Sequence, residues 1–168
     1  MSSLEQMYQQ VILDHAKSPQ GKGLIEIAPG HVGSESHQVN PTCGDEVTLR
    51  VDVVERPGAD GVPVATVDAV SWEGQGCSIS QASISVLHDL VAGQPVTEAE
   101  RLGEIFRELM TTRGKGLEDD DDEEAIGDAV AFTGVSQYPA RIKCALLGWA
   151  ALKDSLVTAG VLTTKEQA

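Results

Sequence analysis

The spacing of apolar positions changes twice along the chain. Leu4, Met7, Tyr8, Val11 and Ile12 recur at helical spacing with Pro19 beyond them, which predicts a helix over 3–17. A glycine-rich stretch without periodicity runs to about residue 33. In "EVTLRVDVV" (46–54), Val47, Leu49, Val51 and Val53 alternate with polar partners, as in a strand with one buried face. "PGADG" (57–61) marks a turn, and "VATVDAVSW" (64–72) reads as the returning strand. Residues 34–39 supply a third strand of the same meander.

Helical spacing then returns. Ile79, Ala82, Val86, Leu87 and Leu90 form a stripe that Gly93 and Pro95 end. "TEAE" (97–100) predicts a capping box, with the Thr97 hydroxyl taking the Glu100 amide proton. Leu102, Ile105, Phe106, Leu109 and Met110 form the next stripe. The run "EDDDDEE" (118–124) is expected as a solvated loop, followed by a short helix near 123–131. A last helix starts near Pro139, a favourable first-turn residue, and runs to about Val157, leaving 160–168 as a loose tail. Strands first and helices after is α+β order. The expected fold is one domain over 1–168, a small three-stranded antiparallel sheet with helices packed on one face.

Charge narrows the partners. The formal net charge is -14, seven of the negative charges lying in 118–124, which disfavours nucleic acid and suits a partner with a basic surface. The acidic run lacks the alternating ligands and central glycine of a calcium loop. No apolar run approaches the roughly 20 residues of a spanning helix. "MSSLEQMYQQ" lacks the basic and apolar regions of a secretory leader, so no membrane role and a cytoplasmic location are expected.

The candidate chemistry rests on three cysteines, Cys43, Cys77 and Cys144. An odd count without a C-x-x-C pair gives no disulfide framework, and a buried inert thiol is the ordinary state of a single free cysteine. Their positions suggest more. Cys43 lies in "NPTCGD" (40–45), two residues before Asp45. In extended chain such residues point the same way, and Gly44 leaves the backbone free to bend. Cys77 follows "GQG" at a predicted helix N-terminus, where the macrodipole favours thiolate. Cys144 lies off the Ile142, Leu146, Trp149, Leu152, Leu156 stripe, beside Leu147, Ala151 and Ser155. Three sulfurs and one carboxylate are the donor count of a tetrahedral metal site, for zinc or an iron–sulfur cluster. Spacing alone leaves that open against three inert cysteines. Among the histidines, His15 on the first helix is expected to be packed and structural, His31 and His37 have no metal-pair spacing, and His88 is expected in solvent. Neither G-x-S-x-G nor a P-loop is present.

"NPTCGD", "GQGCSISQASIS" and "RIKCALLGW", in that order, together with "YQQVILDHAKSPQGKG", resemble the IscU/SufU family of iron–sulfur assembly proteins. The likeness spans nearly the whole chain. It implies an α+β fold with a three-stranded sheet and places the metal ligands on Cys43, Asp45, Cys77 and Cys144. IscU-type scaffolds carry a histidine immediately before the last cysteine, where this chain has Lys143, and "YPARIK" (138–143) is not their chaperone-read "LPPVK". The long stretch between Cys77 and Cys144 resembles the helical insertion of the SufU branch. That branch implies a zinc-dependent sulfurtransferase, which takes persulfide sulfur from a PLP-dependent cysteine desulfurase of the SufS type and serves downstream Suf scaffold proteins. In the family's picture a partner histidine displaces one cysteine from zinc and the freed thiolate attacks. The resemblance gives that role to Cys43. Arg141 resembles a family position that would support it by steadying anionic sulfur or docking the partner; the other reading of Arg141 is an ordinary solvated arginine at the helix start. The alternative is an IscU-like scaffold carrying a transient iron–sulfur cluster on the same residues.

Overall fold

The computed structural model describes residues 2–162. Helix α1 (Ser3–Lys17) leads into strands β1 (Val32–Asn40), β2 (Asp45–Pro57) and β3 (Pro63–Gln75). Helices α2 (Ser78–Val91), α3 (Val96–Leu109) and α4 (Asp120–Ala125), a 3₁₀ segment (Gly127–Gln137) and helix α5 (Pro139–Thr158) follow. The strands form an antiparallel meander in the order β1-β2-β3. The expected α+β class holds, and the added helices between α2 and α5 stand where the insertion was expected.

The alternation in β2 sets the layers. Val47, Leu49 and Val51 are fully buried on one face, joined by Val67, Val70 and Trp72 of β3. Helix α5 lies on this face across β1 and β2, and α2 packs against α5 and α1. Polar pins fix α5 in place. Ser155 Oγ donates to the Leu49 carbonyl at 3.2 Å, and Ser83 Oγ of α2 donates to the Ala145 carbonyl at 2.6 Å. At Gly148 the helices come so close that an added Cβ would lie 2.5 Å from Ile84 Cγ1. Phe106 of α3 stacks on Trp149 at 5.2 Å and meets Phe132 edge-on at 5.7 Å, which joins α3 and the 3₁₀ segment to α5.

The glycine-rich stretch before β1 is a strap. Gly23 N–H donates to the Trp72 carbonyl at 2.7 Å and Trp72 N–H to the Gly21 carbonyl at 3.1 Å, so residues 21–23 cover the free edge of β3. The chain then crosses the outer face. Ile25 N–H donates to Ser71 Oγ at 3.0 Å, Arg50 Nη1 donates to the Ile25 carbonyl at 3.1 Å, and Ala28 N–H donates to Asp52 Oδ2 at 3.0 Å.

Several local expectations are corrected. The third strand spans Val32–Asn40, wider than 34–39. No capping box forms at Thr97: α3 begins at Val96, with Pro95 as its N-cap and no side-chain cap. The reason lies in β3, where Val67 N–H donates to the Gln94 carbonyl at 2.8 Å and Gly93 N–H to the Val67 carbonyl at 2.7 Å, which fixes the entry ahead of Thr97, with the N-cap at Pro95. The acidic run is not all loop. Asp119 Oδ1 accepts from the amides of Asp121 and Asp122 at 2.8 and 3.2 Å, capping α4, whose first turn is wholly acidic and faces the positive end of its dipole. The helix expected near 123–131 is therefore α4 followed by 3₁₀ turns. Of the predicted 160–168 tail, Val161 and Leu162 pack on the core and 163–168 lie outside the described residues. On α5, Leu147, Ala151 and Ser155 are buried while Ile142 and Leu146 are only half-buried, so the side carrying Cys144 is itself a core-facing side.

Candidate metal centre

"NPTCGD" is the turn joining β1 to β2. Asn40 pairs with Asp45 across the ladder, and the Asn40 carbonyl accepts from the amides of Cys43 at 3.3 Å and Gly44 at 2.9 Å. Gly44 has φ +72, a conformation that disfavours any side chain, and it turns the backbone sharply between Cys43 and Asp45. The two side chains thus meet through a tight turn, not through extended alternation.

Asp45 anchors the site. It is completely buried, and its Oδ1 accepts the Cys77 amide at 2.8 Å. Its Oδ2 faces the sulfurs, with Cys77 Sγ at 3.8 Å. Cys77 is the N-cap residue of α2 and makes no capping bond of its own, so its thiol is free to turn to the cluster. Cys144 sits in the second turn of α5, where its Sγ lies 3.5 Å from Cys43 Sγ and 3.6 Å from the Ala140 carbonyl. Donor atoms of Cys43, Asp45 and Cys144 lie within 4.8 Å of one another, and Cys77 joins them through Asp45. Cys43 and Cys77 are exposed; Cys144 is buried. Two surface thiols therefore stand over a buried floor of one carboxylate and one thiol.

The electrostatics suit a cation. Among the described residues no lysine, arginine or histidine forms an ion pair with Asp45. A buried carboxylate facing three sulfurs is costly without a positive partner. Burial pushes the Cys144 thiol well above the ordinary range, and hydrogen bonding with Asp45, Cys43 and Cys77 adds to the shift. A bound cation inverts that preference and stabilises thiolate. Three sulfurs and one oxygen match the donor number and chemistry of a tetrahedral zinc site, so the residues fit the ion.

Three supporting residues escaped the sequence reading. Asn40 is buried, with its Nδ2 3.8 Å from Cys144 Sγ. Ser80 Oγ lies 3.9 Å from Cys77 Sγ and donates to the Cys77 carbonyl at 3.0 Å. Gly76 is a cradle, since a Cβ there would lie 2.4 Å from Asp45 Oδ1. Asn40 belongs to the quoted turn motif and Ser80 stands one helical turn from Cys77, but only the tertiary meeting of the segments gives them a role.

Arg141 is exposed on the first turn of α5, and its side chain makes no hydrogen bond or ion pair among the described residues. His15 is structural as expected, with Nδ1 2.7 Å from Ser85 Oγ and Nε2 3.2 Å from Asp128 Oδ2. His88 is not fully solvated, because its ring lies against Gly21, where a Cβ would come within 2.4 Å of Cδ2. His31 does join a cluster, with Asp52 and Asp68, although its spacing gave no sign of one.

Fold and site together define a single-domain α+β protein that gathers thiols from a hairpin turn, a helix N-terminus and a C-terminal helix around one buried carboxylate. The chain belongs to the NifU-like N terminal domain family, whose model matches residues 7–145, the family of SufU- and IscU-type iron–sulfur cluster assembly proteins. It is 38% identical over 158 residues to the zinc-dependent sulfurtransferase SufU of Bacillus subtilis (strain 168), covering 92% of each chain. It is 35% identical to the iron-sulfur cluster assembly scaffold protein IscU of Streptococcus pyogenes serotype M1, over 93% of this chain and 86% of that one. Among solved structures it matches a SUF-system iron-sulfur cluster assembly scaffold candidate from Fervidobacterium islandicum AW-1. That match has a TM-score of 0.65 and 32% identity, over 92% of this chain and 99% of that one. No helix among the described residues is long and apolar enough to cross a membrane.

Proposed function

We propose that this protein accepts sulfane sulfur from a SufS-type, PLP-dependent cysteine desulfurase and delivers it to iron–sulfur cluster assembly. Cys43 is the acceptor, and Cys43, Asp45, Cys77 and Cys144 hold zinc. The observation that carries the reading is the placing of Cys43: an exposed thiol at the tip of a turn, 3.5 Å from the buried Cys144 sulfur and beside a buried carboxylate. The zinc-dependent sulfurtransferase relative supports the choice of ion and reaction.

Bound zinc would supply the positive charge that lets these groups share one volume and keeps the thiols deprotonated. The chain's own residues do the rest. Asp45, held by the Cys77 amide, fixes the turn against α2. Gly44 lets Cys43 project outward while its backbone stays bonded to Asn40. In the transfer, Cys43 thiolate attacks the outer sulfur of the persulfide on the desulfurase's cysteine. The S–S bond breaks, the desulfurase's cysteine leaves as thiolate, and Cys43 carries the persulfide. Arg141, without an ion-pair partner among the described residues and three residues before Cys144, can steady the anionic sulfur as it arrives. Free thiols suit a reducing compartment, the cytoplasm.

The same donors and the IscU-named relatives support a second reading, a scaffold carrying a transient iron–sulfur cluster. Sulfide release from cysteine by the desulfurase, with and without the zinc-loaded protein, separates the two. The sulfurtransferase reading predicts strong stimulation, one tightly held zinc and no charge-transfer bands in the visible spectrum. A coloured, iron-containing protein that leaves turnover unchanged would establish the scaffold instead.

A further inference from the structure

At the other end of β1 from the cysteines, His31 enters the strand beside two carboxylates. Its Nδ1 lies 2.6 Å from Asp52 Oδ1 and 3.8 Å from Asp68 Oδ2, and donor atoms of the three residues lie within 4.8 Å of one another. The ladder is irregular here. Val53 pairs with Val67 and Asp52 with Ala69, so Asp68 is the extra residue of a β-bulge. A bulge re-aims a side chain, and this one brings Asp68 alongside Asp52.

The outer oxygens are already engaged. Asp52 Oδ2 accepts the Ala28 amide at 3.0 Å, and Asp68 Oδ1 accepts from Arg56 Nη2 at 2.5 Å. Each carboxylate is thus fastened by one oxygen and turns the other toward the same imidazole nitrogen. Ligating carboxylates in metal sites are oriented in this way, and Asp45 is held in the same manner at the cysteine cluster. Asp52 is buried and His31 half-buried, so two of the three groups are already withdrawn from water. With a neutral imidazole, two carboxylates against one arginine leave a net negative charge at this spot.

The geometry points to a second divalent-cation site made by His31 Nδ1, Asp52 Oδ1 and Asp68 Oδ2, which fastens the strap over residues 24–31 to the bulge. One imidazole and two carboxylates suit a first-row ion such as Mn²⁺ or Zn²⁺, with water filling the remaining positions. On binding, the neutral ring changes tautomer: Nδ1 gives up to solvent the proton it donates to Asp52, and Nε2 takes one from solvent, so the ring stays neutral. The nine residues of β1 put this site roughly 30 Å from the cysteine cluster, so the two sites can be loaded separately.

The test uses full-length protein carrying a single equivalent of zinc, freed of excess zinc and titrated with Mn²⁺, with free Mn²⁺ followed by its electron paramagnetic resonance signal. One Mn²⁺ per chain is expected to bind more tightly than the rest, to broaden the His31 ring resonances and to raise the thermal midpoint. His31→Ala and Asp68→Asn should each weaken that binding at least tenfold and abolish the thermal gain. Asp68→Asn, at a more exposed position, covers the case in which His31→Ala loosens the strap. Binding of equal strength in wild type and both variants would place the ion on surface carboxylates such as 118–124 and overturn the proposal, as would the absence of Mn²⁺ binding.

Discussion

Replacing Gly76 with alanine tests how the cysteine cluster is held together without touching any donor. The new Cβ would stand 2.4 Å from Asp45 Oδ1, 2.6 Å from Ser80 Oγ and 2.9 Å from Asp45 Cγ. Ordinary contact begins at 3.4 Å, so the carboxylate must retreat by about 1 Å. It has nowhere easy to go, because Asp45 is completely buried and Oδ1 is bonded to the Cys77 amide at 2.8 Å. Loss of that bond to a charged acceptor costs about 1.5–3 kcal/mol. For a chain of this size that lowers the unfolding midpoint by roughly 3–12 °C. The same shift turns Oδ2 away from the sulfurs, and loss of an orienting partner typically costs about 10–100-fold in metal affinity. Chelator competition measures the affinity and calorimetry the midpoint. Gly103→Ala is the control: its Cβ would meet Trp149 at 3.4 Å, and it lies in α3, away from the cysteines. Removing a helix-interior glycine there should leave zinc affinity unchanged and add about 0.5–1 kcal/mol of stability. Wild-type zinc affinity and midpoint in Gly76→Ala would refute the claim that Asp45 is held by the Cys77 amide to serve the site.

Asp45→Asn keeps the shape and removes the charge. It should weaken zinc binding and lower the midpoint of the zinc form, yet leave the metal-free form at least as stable as wild type, since a buried unpaired carboxylate is then gone; thermal unfolding with and without chelator checks both signs. Stripping zinc from wild type should lower the midpoint, by about 4 kcal/mol of linkage if the ion is present at a thousandfold over its dissociation constant. Gly148→Ala drives a methyl to within 2.5 Å of Ile84 Cγ1 in a packed core, so denaturant unfolding should show a loss of about 1–3 kcal/mol despite alanine's better helix propensity.

The sheet was legible because Val47, Leu49, Val51 and Val53 alternate cleanly, and the helices because their stripes end at glycine or proline. Asp52 shows the limit of that reading. Alternation puts it on the outer face, but the strap covers that face and buries it, and the partners involved, Ala28 and His31, lie more than twenty positions away in sequence. The capping box at Thr97 failed for a similar reason, since contacts between Gly93–Gln94 and Val67 fix where α3 starts. In the acidic run, charge density suggested loop, yet Asp119 caps the turn that follows. For the site, motif order pointed to Cys43, Asp45, Cys77 and Cys144. Asn40, Ser80 and Gly76 stayed silent because their roles exist only once residue 45 meets residue 77 and residue 43 meets residue 144. Cys144 was placed away from the core stripe, whereas α5 is buried on both sides where it lies between the sheet and α2.

The role of Cys43 can be read directly from sulfur trapped on the chain. The zinc-loaded protein is mixed with a SufS-type desulfurase and cysteine, quenched with an alkylating agent and mapped by peptide mass spectrometry. One added sulfur atom on Cys43 is predicted, with sulfide release falling to the level of the desulfurase alone in Cys43→Ala. Sulfur found only on Cys77 or Cys144, or undiminished stimulation by Cys43→Ala, would contradict it.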